Sequence, residues 1–104
     1  MSTFGLTALM RAAAIGHTSG VQHLLETGED VDARGPRRST ALMFAAGSGH
    51  LDVVKLLVRR GGDLFAREDG GWTAAELAEE SGYPEIADYL RDQAESMLND
   101  YGPQ

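Results

Sequence analysis

Cysteine is absent from the 104 residues, which excludes a disulfide framework, a thiolate nucleophile and any Cys-containing zinc site. The core alone must therefore hold the fold, and a reducing, cytoplasmic compartment is expected. Long hydrophobic runs are missing too. Gly, His, Arg or Lys interrupts every apolar stretch within a few residues, well short of the roughly 20 that cross a bilayer, and the opening Met-Ser-Thr-Phe-Gly lacks the pattern of a signal peptide. Basic charge is scarce: nine Lys and Arg stand against sixteen Asp and Glu, a net charge of −7. That balance argues against nucleic acid or an anionic membrane as the partner. With 42% hydrophobic and 24% charged residues, the expectation is one small soluble domain.

An internal repeat organises the chain. Thr7-Ala8-Leu9-Met10 recurs 33 residues on as Thr40-Ala41-Leu42-Met43 and, more weakly, after another 33 as Thr73-Ala74-Ala75-Glu76. In the same register Ala12-Ala13 matches Ala45-Ala46 and Ala78-Glu79, Gly16-His17 matches Gly49-His50 and Gly82-Tyr83, and Gly28-Glu29-Asp30-Val31 matches Gly61-Gly62-Asp63-Leu64. A constant offset at many independent positions marks a stack of identical supersecondary units.

This pattern resembles the ankyrin-repeat family over nearly the whole chain. The resemblance implies an all-α solenoid of stacked helix-turn-helix units with projecting hairpin loops. One domain spans 1–104, with repeats at about 2–34, 35–67 and 68–100 and a tail at 101–104. Departures from the family pattern are Ala8, Ala41 and Ala74 in place of Pro, and Met10, Met43 and Glu76 in place of His. The family's His-to-Thr hydrogen bond is therefore expected to be missing.

The physics of each unit leads to the same helices. Thr7, Thr40 and Thr73 are N-cap residues, because a hydroxyl beside the first turn accepts from an amide that has no helical partner. Leu42, Ala45 and Ala46 form one apolar stripe that Gly49 ends. Leu51, Val54, Leu57 and Val58 form a second, with Asp52, Lys55 and Arg59 opposite, ended by Gly61-Gly62. Helices this short do not persist alone in water, so stacking is obligatory. At the ends, Gly20 and His23 replace Val53 and Leu56 and make the first unit its own wet cap. Ile86, Leu90, Ala94, Met97 and Leu98 predict a final helix running to about Asn99.

Catalytic chemistry finds no motif. His17, His23 and His50 are the only histidines; they are too scattered to form a zinc site, and no nucleophile stands beside a base. Repeat-related His17 and His50 are expected to tie helix starts to a neighbouring loop, and His23 to sit on the cap surface. Gly47-Ser48-Gly49-His50 lacks the Lys of a phosphate loop and is read as an interhelical turn. No enzyme activity, metal or cofactor is expected.

Charge is uneven along the stack. Residues 1–67 carry eight basic and six acidic residues, whereas residues 68–104 carry one basic and ten acidic. The halves are thus +2 and −9, a polarity that orients partners. Arg34-Gly35-Pro36-Arg37-Arg38-Ser39 falls where the resemblance implies the first inter-repeat finger, and its arginines suit gripping carboxylates or phosphates. Trp72, in the second finger, is either packed between fingers or exposed as an anchor. An apolar strip from Phe4 and Leu6 past Ser39 to Trp72 would join helix ends such as Ser48 and Glu80. The resemblance implies a non-catalytic module binding another protein through Phe4, Leu6, Arg34, Arg37, Arg38, Ser39, Ser48, Asp69, Trp72 and Glu80. The alternative is a homodimeric ankyrin-repeat protein, natural or designed.

Overall fold

The computed structural model describes residues 5–99, the last by its backbone alone. Six α-helices follow one another among them: α1 (Ala8–Ile15), α2 (Thr18–Glu26), α3 (Ala41–Ser48), α4 (Leu51–Arg59), α5 (Ala74–Glu80) and α6 (Pro84–Asn99). The first helix of each pair, α1, α3 and α5, is capped as the sequence predicts. Thr7 Oγ1 accepts from Met10 N at 3.0 Å, and Thr40 and Thr73 do the same for Met43 and Glu76 at 3.3 Å. In the second and third units the reciprocal half of the capping box survives the loss of His in another form. The Thr73 amide donates to Glu76 Oε1 at 2.9 Å, and that of Thr40 to the Met43 thioether at 3.4 Å.

The first helix of every pair closes in the same way. Gly16 and Gly49 adopt left-handed φ of 76° and 85°. Their amides and the next residues' amides recover the last carbonyls: Gly16 to Ala13, His17 to Ala12, Gly49 to Ala46 and His50 to Ala45. Gly82 and Tyr83 repeat the pattern on Glu79 and Ala78, so the αL closure occurs three times at a 33-residue spacing.

Helices α1, α3 and α5 form an inner layer, and α2, α4 and α6 pack behind them. The inner layer is tight because its contacts are alanines: Ala13, Ala45, Ala46 and Ala78 are fully buried. Leu9, Met10, Leu42 and Met43 fill the space around them, and Val21, Val53, Val54, Leu57, Ile86 and Leu90 bury the outer layer. On α4 the buried face is broader than the predicted stripe: Val53 and Leu56 are buried along with Val54 and Leu57, while Leu51 and Val58 are half-buried. The reason is position. As the middle outer helix, α4 packs against α3 beneath and α2 beside it, and Lys55 Nζ lies 5.7 Å from the ring centroid of Tyr89 on α6.

The two ends of the stack differ chemically. Where the first two units bury Met10 and Met43, then Ala13 and Ala46, the third carries Glu76 and Glu79, each about half-exposed and paired with Arg67 and Arg91. These charges give the third unit a hydrated outer face. The apolar stripe on α6 also leaves the core earlier than the sequence predicts. Ile86 and Leu90 are buried, but Met97 and Leu98 are 46% and 62% exposed. Sixteen residues of α6 against seven of α5 give roughly 24 Å of helix against 10 Å, so the last turns have no inner helix beneath them.

The loops carry their own ladder. Asp30 Oδ1 accepts from the Asp32 amide, and Asp63 Oδ1 from the Phe65 amide, both at 2.9 Å; Asp32 Oδ1 reaches across the repeats to the Asp63 amide at 2.8 Å. Phe65, the repeat counterpart of Asp32, has no acceptor to continue the series and stands 46% exposed.

Candidate functional site

The two fingers close by the same bonds, one repeat apart. Gly35 N donates to Ser39 O at 2.8 Å and Glu68 N to Trp72 O at 3.0 Å; the tight turns inside are Arg38 N to Gly35 O and Gly71 N to Glu68 O. Arg34 and Arg67 brace them, donating to the carbonyls of Arg38 and Gly71, and Arg34 spans to Arg67 O at 2.9 Å. Arg34 is thus committed to backbone carbonyls. The chemistry of the turns differs. Gly71 supplies the positive φ in the second finger, whereas in the first Arg37 and Arg38 take φ of 57° and 59°, where a residue with a Cβ is strained by about 1–2 kcal/mol.

A lock joins the fingers. Arg37 O accepts from the Asp69 amide at 2.9 Å, and its guanidinium lies 3.4 Å from Glu68 Oε2. Glu68 is nearly enclosed, with 8% of its side chain exposed, and its other oxygen accepts from Trp72 N at 3.1 Å. These two cross-finger contacts tie the protrusion together.

Between the fingers and the inner helices lies a groove of about 460 Å³. Of the residues expected from the sequence, Arg37, Ser39, Ser48 and Trp72 line it. Phe44, Leu77 and Met43 supply its apolar wall, and Gly47 and Ser81 leave the space open. Trp72 is 40% exposed, so its ring is a wall of the groove with one part free. It also borders a second hollow of about 510 Å³, lined by Glu76, Glu79, Glu80 and Arg91 among others. Glu80 belongs there. Leu6 is half-buried against the core and does not line the groove. Arg38 and Asp69 are exposed on the fingers, outside the groove lining. Phe4 lies outside the described residues.

Phe44, Leu77 and Glu68 were not singled out from the sequence. A signal existed for the first two: they stand 33 residues apart, at the helix position that Arg11 fills in the first unit. Glu68 had none, since its burial depends on the two fingers meeting.

One histidine serves the stack. His50 Nε2 donates to Ala14 O at 3.0 Å, the expected tie to the neighbouring unit. His17 differs: its ring lies against Gly20 of its own helix, where a Cβ would fall 2.3 Å from the ring. His23 is exposed. The Glu76 carboxyl is held below its ordinary pKa, chiefly by the Thr73 amide and then by Arg67. No group of three metal-ligating side chains converges among the described residues, and none of their helices is long and apolar enough to cross a membrane.

The family model for ankyrin repeats matches residues 9–100 in three copies. The chain belongs to the ankyrin-repeat family, whose members are generally protein–protein interaction modules and generally non-catalytic. No curated protein matches the sequence.

Proposed function

We propose that the whole chain acts as one domain of three repeats, at about 2–34, 35–67 and 68–100, that binds another protein without catalysis. The binding face is the groove between the fingers and the inner helices, and Arg37, Arg38 and Trp72 are its anchors. The observation that carries this reading is the half-exposed Trp72 beside a groove walled by Phe44 and Leu77 and kept open by Gly47, Ser48 and Ser81. Trp and Arg are the residue types that most often dominate interface energetics. The strained Arg37-Arg38 turn and the buried Glu68 present these side chains on a pre-ordered protrusion, which lowers the ordering cost of association. Arg34 acts as a brace for the finger. The compartment consistent with a cysteine-free chain is the cytoplasm.

The test pans a displayed library of protein fragments on the wild type and on the triple variant Arg37→Ala/Arg38→Ala/Trp72→Ala, with circular dichroism confirming that the variant keeps its helical signal. Fragments that bind the wild type at least about tenfold more tightly, the loss of a single hot spot, support the site. Fragments that bind both equally overturn it. Self-association through the same face is the rival reading, and absolute mass from light scattering separates the two: a monomer leaves the face free, and a dimer that shields Trp72 overturns the heterologous reading.

A further inference from the structure

We infer that the segment this groove receives is dipolar: an apolar side chain seated against Phe44, Leu77 and Trp72, with an acidic residue on one side of it and a basic residue on the other. The inference rests on the proposed binding face and specifies its ligand. The groove wall is apolar, and the small residues Gly47 and Ser81 leave room for a side chain. Its charged surroundings are of opposite sign on either side of Trp72. In the finger next to it Arg34 is occupied by carbonyls and Arg37 is paired with Glu68. Arg38 is exposed and has no ion pair among the described residues. In the hollow beyond Trp72, Glu76 is paired with Arg67 at 3.8 Å and Glu79 with Arg91. Glu80 is exposed there and has no ion pair among the described residues.

The fingers thus carry Arg34, Arg37, Arg38 and Arg67 against Glu68 and Asp69, a positive excess, and the hollow beyond Trp72 carries Glu76, Glu79 and Glu80 against Arg91, a negative one. The wider field has the same direction, with exposed Arg11 in the first unit and a net −9 over residues 68–104. An all-basic segment meets Arg38 and Arg11 at one end; an all-acidic one meets Glu80 and the acidic third repeat at the other. A dipolar segment satisfies both ends, and charge placed this way selects and orients a partner more than it adds affinity.

The only tryptophan, Trp72, is the reporter. Its fluorescence is titrated with four pools of short peptides, N-acetylated and C-amidated, that share a central leucine. The first pool places acidic residues on one side of the leucine and basic residues on the other, in both orders; the other three are basic, acidic or neutral on both sides. The dipolar pool is expected to bind roughly fivefold more tightly than either single-sign pool, as one exposed ion pair allows. The advantage disappears at about 1 M salt, where the Debye length is about 3 Å. Arg38→Glu shifts the preference to the basic pool, and Glu80→Lys shifts it to the acidic pool. A single-sign or neutral pool that matches or exceeds the dipolar one on the wild type overturns the inference, as does silence from every pool. If fragments dependent on Trp72 are still recovered by panning, only the inference falls; if they are not, the binding face falls with it.

Discussion

His50 donates a hydrogen bond from Nε2 to the main-chain carbonyl of Ala14, 3.0 Å away and 36 residues earlier in the chain. The same ring covers Gly16, where a Cβ would come within 2.7 Å of Nδ1. One side chain therefore links two units and at the same time demands a glycine in a left-handed turn. Tyr83 covers Gly49 in the same way one repeat later, with a Cβ there 2.6 Å from the ring. Gly82 has open space, with no ring against it among the described residues.

Gly16→Ala should cost at least about 1–2 kcal/mol, since an αL conformation with a Cβ is strained and the imidazole must also move. Gly82→Ala, at φ 91°, incurs the backbone strain alone and should cost less. Urea unfolding of the two variants checks the order. An equal loss for both would mean that the ring contact contributes nothing.

The strained finger predicts a stabilising substitution. Arg38→Gly relieves a positive φ at a residue whose side chain is exposed, and should raise stability by about 0.5–1 kcal/mol. The same change should weaken binding at the groove. A chemical denaturation midpoint that falls on Arg38→Gly would count against strain at this turn.

Glu76 gives the stability a pH dependence. Its folded pKa lies below the ordinary value, so the unfolded chain binds the proton more readily. Its contribution is then fully present above the unfolded pKa of about 4.3 and is lost as pH falls through the depressed folded value. Glu76→Gln should flatten the acid limb of stability against pH and leave the neutral region little changed, as measured by thermal unfolding across that range.

The protruding turns of α6 should be expendable. Met97→Ser/Leu98→Ser is expected to stay within about 0.5 kcal/mol of the wild type, as exposed positions do. Leu90→Ala, at a buried position four residues after Ile86, should cost about 2–5 kcal/mol. Comparable losses from both would mean that the helix end is covered in solution, which the mass in solution would also reveal.

The 33-residue period, the Thr caps, the glycine closures and the alanine contacts between units were all legible in the sequence, because each is a local requirement that recurs at a constant offset. The repeat also set the helix count and the polar third unit, since Glu76 and Glu79 stand where Met and Ala would otherwise be buried. What the linear chain did not contain was the meeting of elements from different repeats. Whether Trp72 is packed or exposed depends on how close the second finger comes to α3 and α5. The role of Arg34 depends on the carbonyl of Arg67 lying within reach, and the pairing of Glu68 depends on Arg37 from the other finger. Period and capping are encoded residue by residue, whereas the groove is a property of the distances between fingers, and those distances exist only once the alanines have let the inner helices close.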